Sequence, residues 1–321
     1  MIIRIKLEDG KWTTSHTGKG RFMRVLTPEL NKLGVTVTDS LEENVDIDLQ
    51  IGRWHYKPVN CKKTILRIGP VHVDTRKNHK WLNDRKKRAY QKADGVIYQS
   101  KFGRKMVNAF IGKPGGKTTI INNGAVVKDI TPDRAEDYYK YNFICSAYDW
   151  LKQKRLVGII RSYWKSDIKN SILWVAGNTG QRFCGTRDVD NRMEVRKVGL
   201  LNRDELHQLY RKCDAMIHMV WLDCMPNAVC EAIANGCRVI CNNVGGTKEV
   251  VKPSGGIVLQ IDPKWKRIPV ETEKPPPIND ILLANAMRDI INYPKPNTEM
   301  VDIRNVAKRY FEFFKEVLGS E

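Results

Sequence analysis

Asp223 and Glu231 stand eight positions apart, one just ahead of a helical pattern and the other little more than a turn inside it. They lie in the stretch LHQLYRKCDAMIHMVWLDCMPNAVCEAIANGCRVICNNVGGTKEV, which runs from Leu206 to Val250. Pro226 falls where an opening helical turn tolerates a missing N–H, and Asn235-Gly236 supplies the stop. The first amides of a helix have no acceptor within it, and the helix dipole adds partial positive charge there. A diphosphate can therefore sit at that first turn without any lysine. Two carboxylates so spaced can contact opposite ends of one ligand. Downstream, the strand pattern 238–241 runs into Gly245-Gly246, where absent side chains let backbone approach a ligand, and Glu249 follows at the next helix start. The combination fits a polyhydroxylated anion.

Elements that can hold such a site surround it. Strand-length apolar runs at 2–7, 45–51, 64–68, 95–99 and 119–122 alternate with helical patterns around 21–33, around 83–92 and from Phe102 onward. The alternation restarts with runs at 142–146, 172–176, 194–198 and 215–220, and with helices expected from Lys154 and Arg203. This predicts an α/β protein with two doubly wound parallel sheets in tandem. The polar segment 127–141, with Thr131-Pro132-Asp133, is the expected link, and Lys274-Pro275-Pro276-Pro277 marks a loop. The predicted domains are residues 1–130, residues 131–300 and a terminal helical segment 301–321. Val306, Tyr310, Phe313 and Phe314 make the apolar side of that last helix.

Composition narrows the class. With 321 residues the chain can bury two cores of ordinary size. Its eight cysteines form no Cys-x-x-Cys pair and several sit within apolar patterns, so they read as reduced core residues. Cys224, Cys230, Cys237 and Cys241 fit no common zinc-ligand spacing. Asp46-Ile47-Asp48 and Asp188-Val189-Asp190 spell a possible metal motif, but the first lies in a strand pattern and the second in a polar loop, so no metal site is expected. No apolar run reaches the ~18 residues of a membrane span, and the start reads as a strand. These features predict a cytoplasmic protein, peripheral to a membrane at most. Charge is uneven: of a net +19, residues 1–130 hold 26 Lys+Arg against 12 Asp+Glu. Between Arg53 and Lys128 there are 19 basic and 3 acidic residues, including Arg85-Lys86-Lys87-Arg88. A solvated helix face ordinarily mixes its signs.

Further motifs line up in order along nearly the whole chain: Gly18-Lys19-Gly20, Ala93-Asp94-Gly95, Gln99-Ser100-Lys101-Phe102, Asn123-Gly124 and Lys154-Arg155-Leu156. Together with acidic-x7-Glu, Pro-Asn, Glu-Ala, Ala-x-Gly and Gly-Gly-x-x-Glu, this set resembles retaining glycosyltransferase family 4. The resemblance implies the GT-B architecture of two Rossmann-like domains, with a C-terminal helix crossing back to the first. It implies a nucleotide-diphosphate sugar donor, most simply a UDP-sugar, and no required cofactor. By the same resemblance Met225, Pro226, Asn227, Ala228 and Val229 hold the diphosphate, Glu231 binds ribose hydroxyls and Asp223 faces the transferred sugar. Lys154 stabilises phosphate charge, and Gly18 and Gly20 bring backbone to the donor phosphate. Two positions depart from the pattern. Asp149 stands where the family commonly has an Arg, five residues before Lys154, which leaves Lys152 or Arg155 as replacements. Ile68-Gly69-Pro70 stands where a sugar-contacting His or Asp is usual, so His72 and Asp74 are the substitutes.

The basic first half points to a polyanionic acceptor. Trp54, His55 and Tyr56 follow a strand pattern ending near Gly52, at the carboxyl edge where open α/β sheets bind ligands, and Arg67 stands at another strand exit. One reading is DNA carrying a hydroxymethylated pyrimidine, with lysines on phosphates and aromatics on an extruded base. Another is a lipopolysaccharide or lipid-linked glycan at an anionic membrane surface. The segment NDRKKRAYQK, residues 83–92, has scarcely any apolar face, which favours DNA. A third reading is a non-catalytic nucleic-acid-binding module on this scaffold, suggested by Asp149. No obligate protein partner is evident.

Overall fold

The computed structural model describes residues 1–7, 12–13, 17–53, 57–128, 139–180 and 193–319. They form two compact units. The first comprises Met1–Val126, Arg267–Val270 and Met300–Glu321. In it follow β1 (Ile2–Lys6), α1 (Gly18–Lys32), β2 (Thr36–Thr38), β3 (Val45–Ile51), β4 (Cys61–Ile68), α2 (His79–Lys92), β5 (Gly95–Tyr98), α3 (Lys101–Ile111) and β6 (Lys117–Ile120), and the six strands form one sheet. Its order is β2-β1-β3-β4-β5-β6, with every pairing parallel. Parallel strands are covered on both faces, which is why β5 and nearly all of β3 are buried at every position.

The second unit comprises Val127–Lys266 and Glu271–Glu299. Its elements are β7 (Tyr141–Asp149), a 3-10 turn at Lys152–Lys154, α4 (Leu156–Ser166), β8 (Ser171–Asn178), β9 (Met193–Gly199), α5 (Arg203–Lys212), β10 (Ala215–His218), α6 (Asn227–Ala234), β11 (Arg238–Asn242), α7 (Lys248–Val251), β12 (Ile257–Leu259) and α8 (Asp280–Ile290). The sheet order β12-β11-β10-β7-β8-β9 is again all parallel. Strand order reverses between β7 and β10, and in such sheets ligands bind outside the carboxyl ends of the strands at that reversal. In the first unit the reversal falls between β1 and β3.

The last helix, α9 (Ile303–Leu318), returns to the first unit. Asp302 caps it, and Ile303 N–H bonds to Ala125 O while Ala125 N–H bonds to Val301 O. Val306, Tyr310, Phe313, Phe314 and Val317 then join the core formed by α1 and the sheet.

Several elements differ from the sequence expectation. Helix α1 begins at Gly18, because Thr17 accepts from Gly20 N–H, and α2 begins at His79 behind its cap Asn78. Lys154 ends a 3-10 turn, and α4 starts only after Arg155, whose φ of 58° interrupts the helix. Strands β2 and β12 have three residues each, too few to show a period of two. Asp46 accepts from Ile2 N–H and Lys62, and Asp48 pairs with Arg4 at 3.0 Å where both side chains are fully buried. That Asp-x-Asp is thus tied into the sheet, whereas Asp188-Val189-Asp190 and Thr131-Pro132-Asp133 lie outside the described residues.

Candidate functional site

The reversal between β7 and β10 lies beside Lys154, Asp223 and the start of α6, the second-unit residues that the sequence singled out. Beyond β7, the 3-10 turn carries Lys154, whose ammonium donates to the Asp149 carbonyl at 2.5 Å. Beyond β10, Trp221 N–H donates to Gln153 O at 3.0 Å, which fastens the loop bearing Asp223 to the turn bearing Lys154. Burial pulls the Lys154 ammonium below the ordinary lysine range, and the carboxylates of Asp223 and Asp149 push it back up. A cation held this way is partly desolvated, so it attracts an incoming anion more strongly than a surface lysine does.

Asp223 is fixed from two sides. Its backbone carbonyl accepts from Gly246 N–H at 2.8 Å, and its Oδ1 accepts from Met225 N–H at 3.2 Å. Gly245, at φ +120°, passes so close that an added Cβ would stand 2.6 Å from the Asp223 carbonyl oxygen, so only glycine fits. Behind the loop, Asn242 Nδ2 donates to Val220 O at 2.8 Å.

Helix α6 begins at Asn227, one residue later than expected, with Pro226 in the capping position and no side chain capping it. Its first intrahelical bond runs from Cys230 N–H to Pro226 O at 3.5 Å. The amides of residues 227 to 229 precede that bond, and the positive end of the helix dipole lies there. Met225 departs from the expectation that its amide meets a diphosphate, since Asp223 already accepts from it, and Pro226 has no N–H to offer. Glu231 follows one turn inside, with its carboxylate 4.0 Å from His207 Nε2.

Arg155 does not replace the missing family arginine. Its guanidinium is buried in a two-pronged pair with Asp262 at 2.6 and 2.9 Å and also donates to Met219 O. Asp149, at the arginine's position, accepts from Asn178 through its side chain. Lys152 is exposed.

In the first unit, the expected acceptor residue Arg67 is an interior one, 3 % exposed. It donates to Tyr310 Oη at 2.9 Å and Asn123 Oδ1 at 2.6 Å, and stacks over Phe22 at 4.4 Å, so it locks α9 and α1 onto β4. Asp74 is held by Arg76 at 2.6 Å. His72 exchanges backbone bonds with the Asn83 side chain, and burial together with Lys86, Lys77 and Lys19 pushes it down to about 4, leaving it neutral near pH 7. Gly18 and Gly20 lie in the first turn of α1, where the Lys19 ammonium stands 3.0 Å from the place of a Gly52 Cβ, at the end of β3. Trp54, His55 and Tyr56 lie outside the described residues.

Two residues of this region carried no sequence signal. His218, at the end of β10, is 5 % exposed with Nε2 3.7 Å from Asp223 Oδ2. His207 sits on α5 beside Glu231, 4 % exposed. The Nε2 atoms of both, with Trp221 Nε1, are buried without a hydrogen-bond partner. Orphaned donors are uncommon in native interiors, and these three occur on the segment that carries Asp223 and Glu231. Among the described residues no group of three or more His, Cys, Asp or Glu can hold a metal ion, and no helix is long and apolar enough to cross a membrane. Burial pushes the thiols of Cys145, Cys230 and Cys241 up, as expected of core residues.

Residues 128–268 match the family described as glycosyl transferases group 1. Similar solved structures include sucrose-phosphate synthase from Thermosynechococcus elongatus, 12 % identical, with a TM-score of 0.67 and 99 % of each chain covered. A glycosyltransferase from Rickettsia africae is 13 % identical over 100 % of this chain and 98 % of that one, with a TM-score of 0.59. A trehalose-6-phosphate protein from E. coli, bound with UDP-2-fluoro glucose, is 11 % identical over 94 % and 79 %, with a TM-score of 0.54. These likenesses establish the GT-B fold. No curated protein matches the sequence.

Proposed function

We propose that this glycosyltransferase, whose residues 128–268 match the glycosyl transferases group 1 family, moves a sugar from a UDP-sugar to a polyanionic acceptor with retention of configuration. One observation carries the donor side: Lys154, Asp223 and the uncapped start of α6 meet outside β7 and β10, where strand order reverses. The diphosphate would lie on the amides of residues 227–229 with Lys154 beside it. Asp223 would face the sugar, and Glu231 would take ribose hydroxyls. The choice of UDP draws on the similar structure bound with UDP-2-fluoro glucose. No side chain need act as a strong nucleophile. Charge grows on the departing diphosphate, helix-start amides and Lys154 stabilise it, and the leaving phosphate oxygen accepts the acceptor hydroxyl proton on the same face of the sugar. Gly18, Gly20, His72 and Asp74 are first-unit candidates to be tested by substitution.

For the acceptor we favour a hydroxymethylated pyrimidine in DNA. On α2, Lys80, Arg85, Lys87, Arg88 and Lys92 are exposed against the single acid Asp84. Trp81 is 55 % exposed beneath the Arg85 guanidinium at 4.9 Å, a pair that can stack on a base. Trp54 and Tyr56 are further stacking candidates from the sequence. The same exposed Trp81 among cations also suits an anionic membrane interface, which is the second reading. Incubation with a panel of UDP-sugars and either hydroxymethylated DNA or anionic vesicles bearing lipid-linked glycans, followed by mass spectrometry, separates them. A one-sugar mass gain on DNA, lost in Glu231→Ala, supports the first reading. Transfer confined to vesicles supports the second, and nucleotide release with neither acceptor and unchanged in Glu231→Ala contradicts the donor site.

A further inference from the structure

Helices α5 and α6 face each other in a register that repeats over one turn. Arg211 donates to Asn235 Oδ1 at 2.8 Å, and Asn235 Nδ2 donates in turn to the carbonyl of Glu231. One turn toward the start of each helix, His207 comes opposite Glu231, with Nε2 4.0 Å from Oε2. His207 is 4 % exposed and its Nε2 has no hydrogen-bond partner. A buried ring nitrogen left this way forfeits a hydrogen bond, unless a small movement on ligand binding completes it. The movement needed is about 1 Å, from the observed separation to an ordinary N–H···O distance.

We propose that His207 is a positioning residue for Glu231: its Nε2–H closes onto the Glu231 carboxylate when nucleotide binds and aims the other carboxylate oxygen at the ribose hydroxyls. The ring is suited to this as a neutral donor. Burial first, then Arg203, Arg211 and Lys128, opposed by Asp204, push it down to about 4, so near pH 7 it offers one N–H and no charge. The tyrosine beside it, Tyr210, is already engaged with Ser146 at 2.7 Å and does not compete. His218 stands behind Asp223 in a comparable way, so both carboxylates of the pair have a buried imidazole close by. The inference rests on the donor-site reading above.

Binding of UDP and GDP, and of their 2′,3′-dideoxy forms, to the full chain tests it by calorimetry near pH 7. His207→Phe should weaken the better-bound nucleotide about ten-fold, the scale of one hydrogen bond to a charged group, with its thermal midpoint confirming a folded protein. His207→Gln, which restores an N–H, should recover most of that loss. The decisive comparison is the dideoxy ligand, for which His207→Phe and the wild type should bind alike, because the hydroxyls that Glu231 would receive are gone. If His207→Phe does not fold, His207→Met supplies the same comparison. Unchanged affinity in the variant, or an equal loss with the dideoxy ligand, overturns the role of His207. If the wild type binds neither nucleotide, or Glu231→Ala binds as the wild type does, the donor-site reading itself fails.

Discussion

At the scale of single residues, Lys154 should set a pH dependence that distinguishes it from a surface lysine. Its ammonium is held below the ordinary range by burial, so the charge that would stabilise the leaving diphosphate is lost as pH rises through this lowered value. The alkaline limb of activity should therefore begin below the ordinary lysine range, and Lys154→Arg should move it upward, since a guanidinium stays charged. Lys154→Met should lower kcat on the order of 10²–10³-fold, as removal of one oxyanion donor does elsewhere. A pH–rate profile with the same alkaline limb in wild type and Lys154→Arg would remove Lys154 from the mechanism. The place of Asp223 ahead of α6 and of Glu231 one turn inside it is legible in the sequence, because spacing along one helix start is local information. Arg67 and Arg155 were not, because a guanidinium's role depends on where its partners arrive. Tyr310 lies 243 residues from Arg67, and Asp262 lies 107 from Arg155. His207 escaped for the same reason, since its relation to Glu231 exists only once α5 and α6 pack.

At the scale of elements, the loop before α6 depends on a neighbouring turn. Gly245 combines a left-handed φ of +120° with a 2.6 Å approach to the Asp223 carbonyl. Gly245→Ala should therefore destabilise the protein by about 1–3 kcal/mol of backbone strain and displace Asp223. Thermal denaturation and kcat measured together check this: a lower midpoint with kcat reduced more than tenfold, on the order of one missing transition-state interaction, is expected. Wild-type kcat in a folded Gly245→Ala protein would show that Asp223 needs no such fixing. Alternating strands and helices were readable because buried parallel strands give continuous apolar runs, as in β3 and β5. Helices α1 and α2 start ahead of the expected patterns, at the caps Thr17 and Asn78, whose side chains accept from the Gly20 and Trp81 amides and fix the first turn. The helix expected from Lys154 starts at Leu156, because Lys154 closes a 3-10 turn and Arg155 takes a left-handed φ before the helix begins. Helix α8, which follows the proline loop, has an apolar stripe at Leu283, Ala286, Met287 and Ile290.

At the scale of the whole molecule, the excess positive charge and the candidate donor residues are segregated. The acidic pair and Lys154 belong to the second unit, while most of the excess positive charge lies in the first half of the chain. Binding to a polyanion through α2 should fall steeply with salt. Arg85→Glu with Arg88→Glu should weaken binding to duplex DNA and flatten its logarithmic salt dependence by about 0.9 for each phosphate that is no longer neutralised. An unaltered slope would place the polyanion elsewhere. Nucleotide binding should be unaffected by that pair of substitutions, because neither residue is among the candidate donor residues. Where a nucleoside diphosphate binds tests the donor site most directly. A crystal structure of the protein soaked with UDP should show the diphosphate on the amides of residues 227–229 beside Lys154, with the ribose at Glu231. UDP bound at another place, with the start of α6 unoccupied, would contradict it.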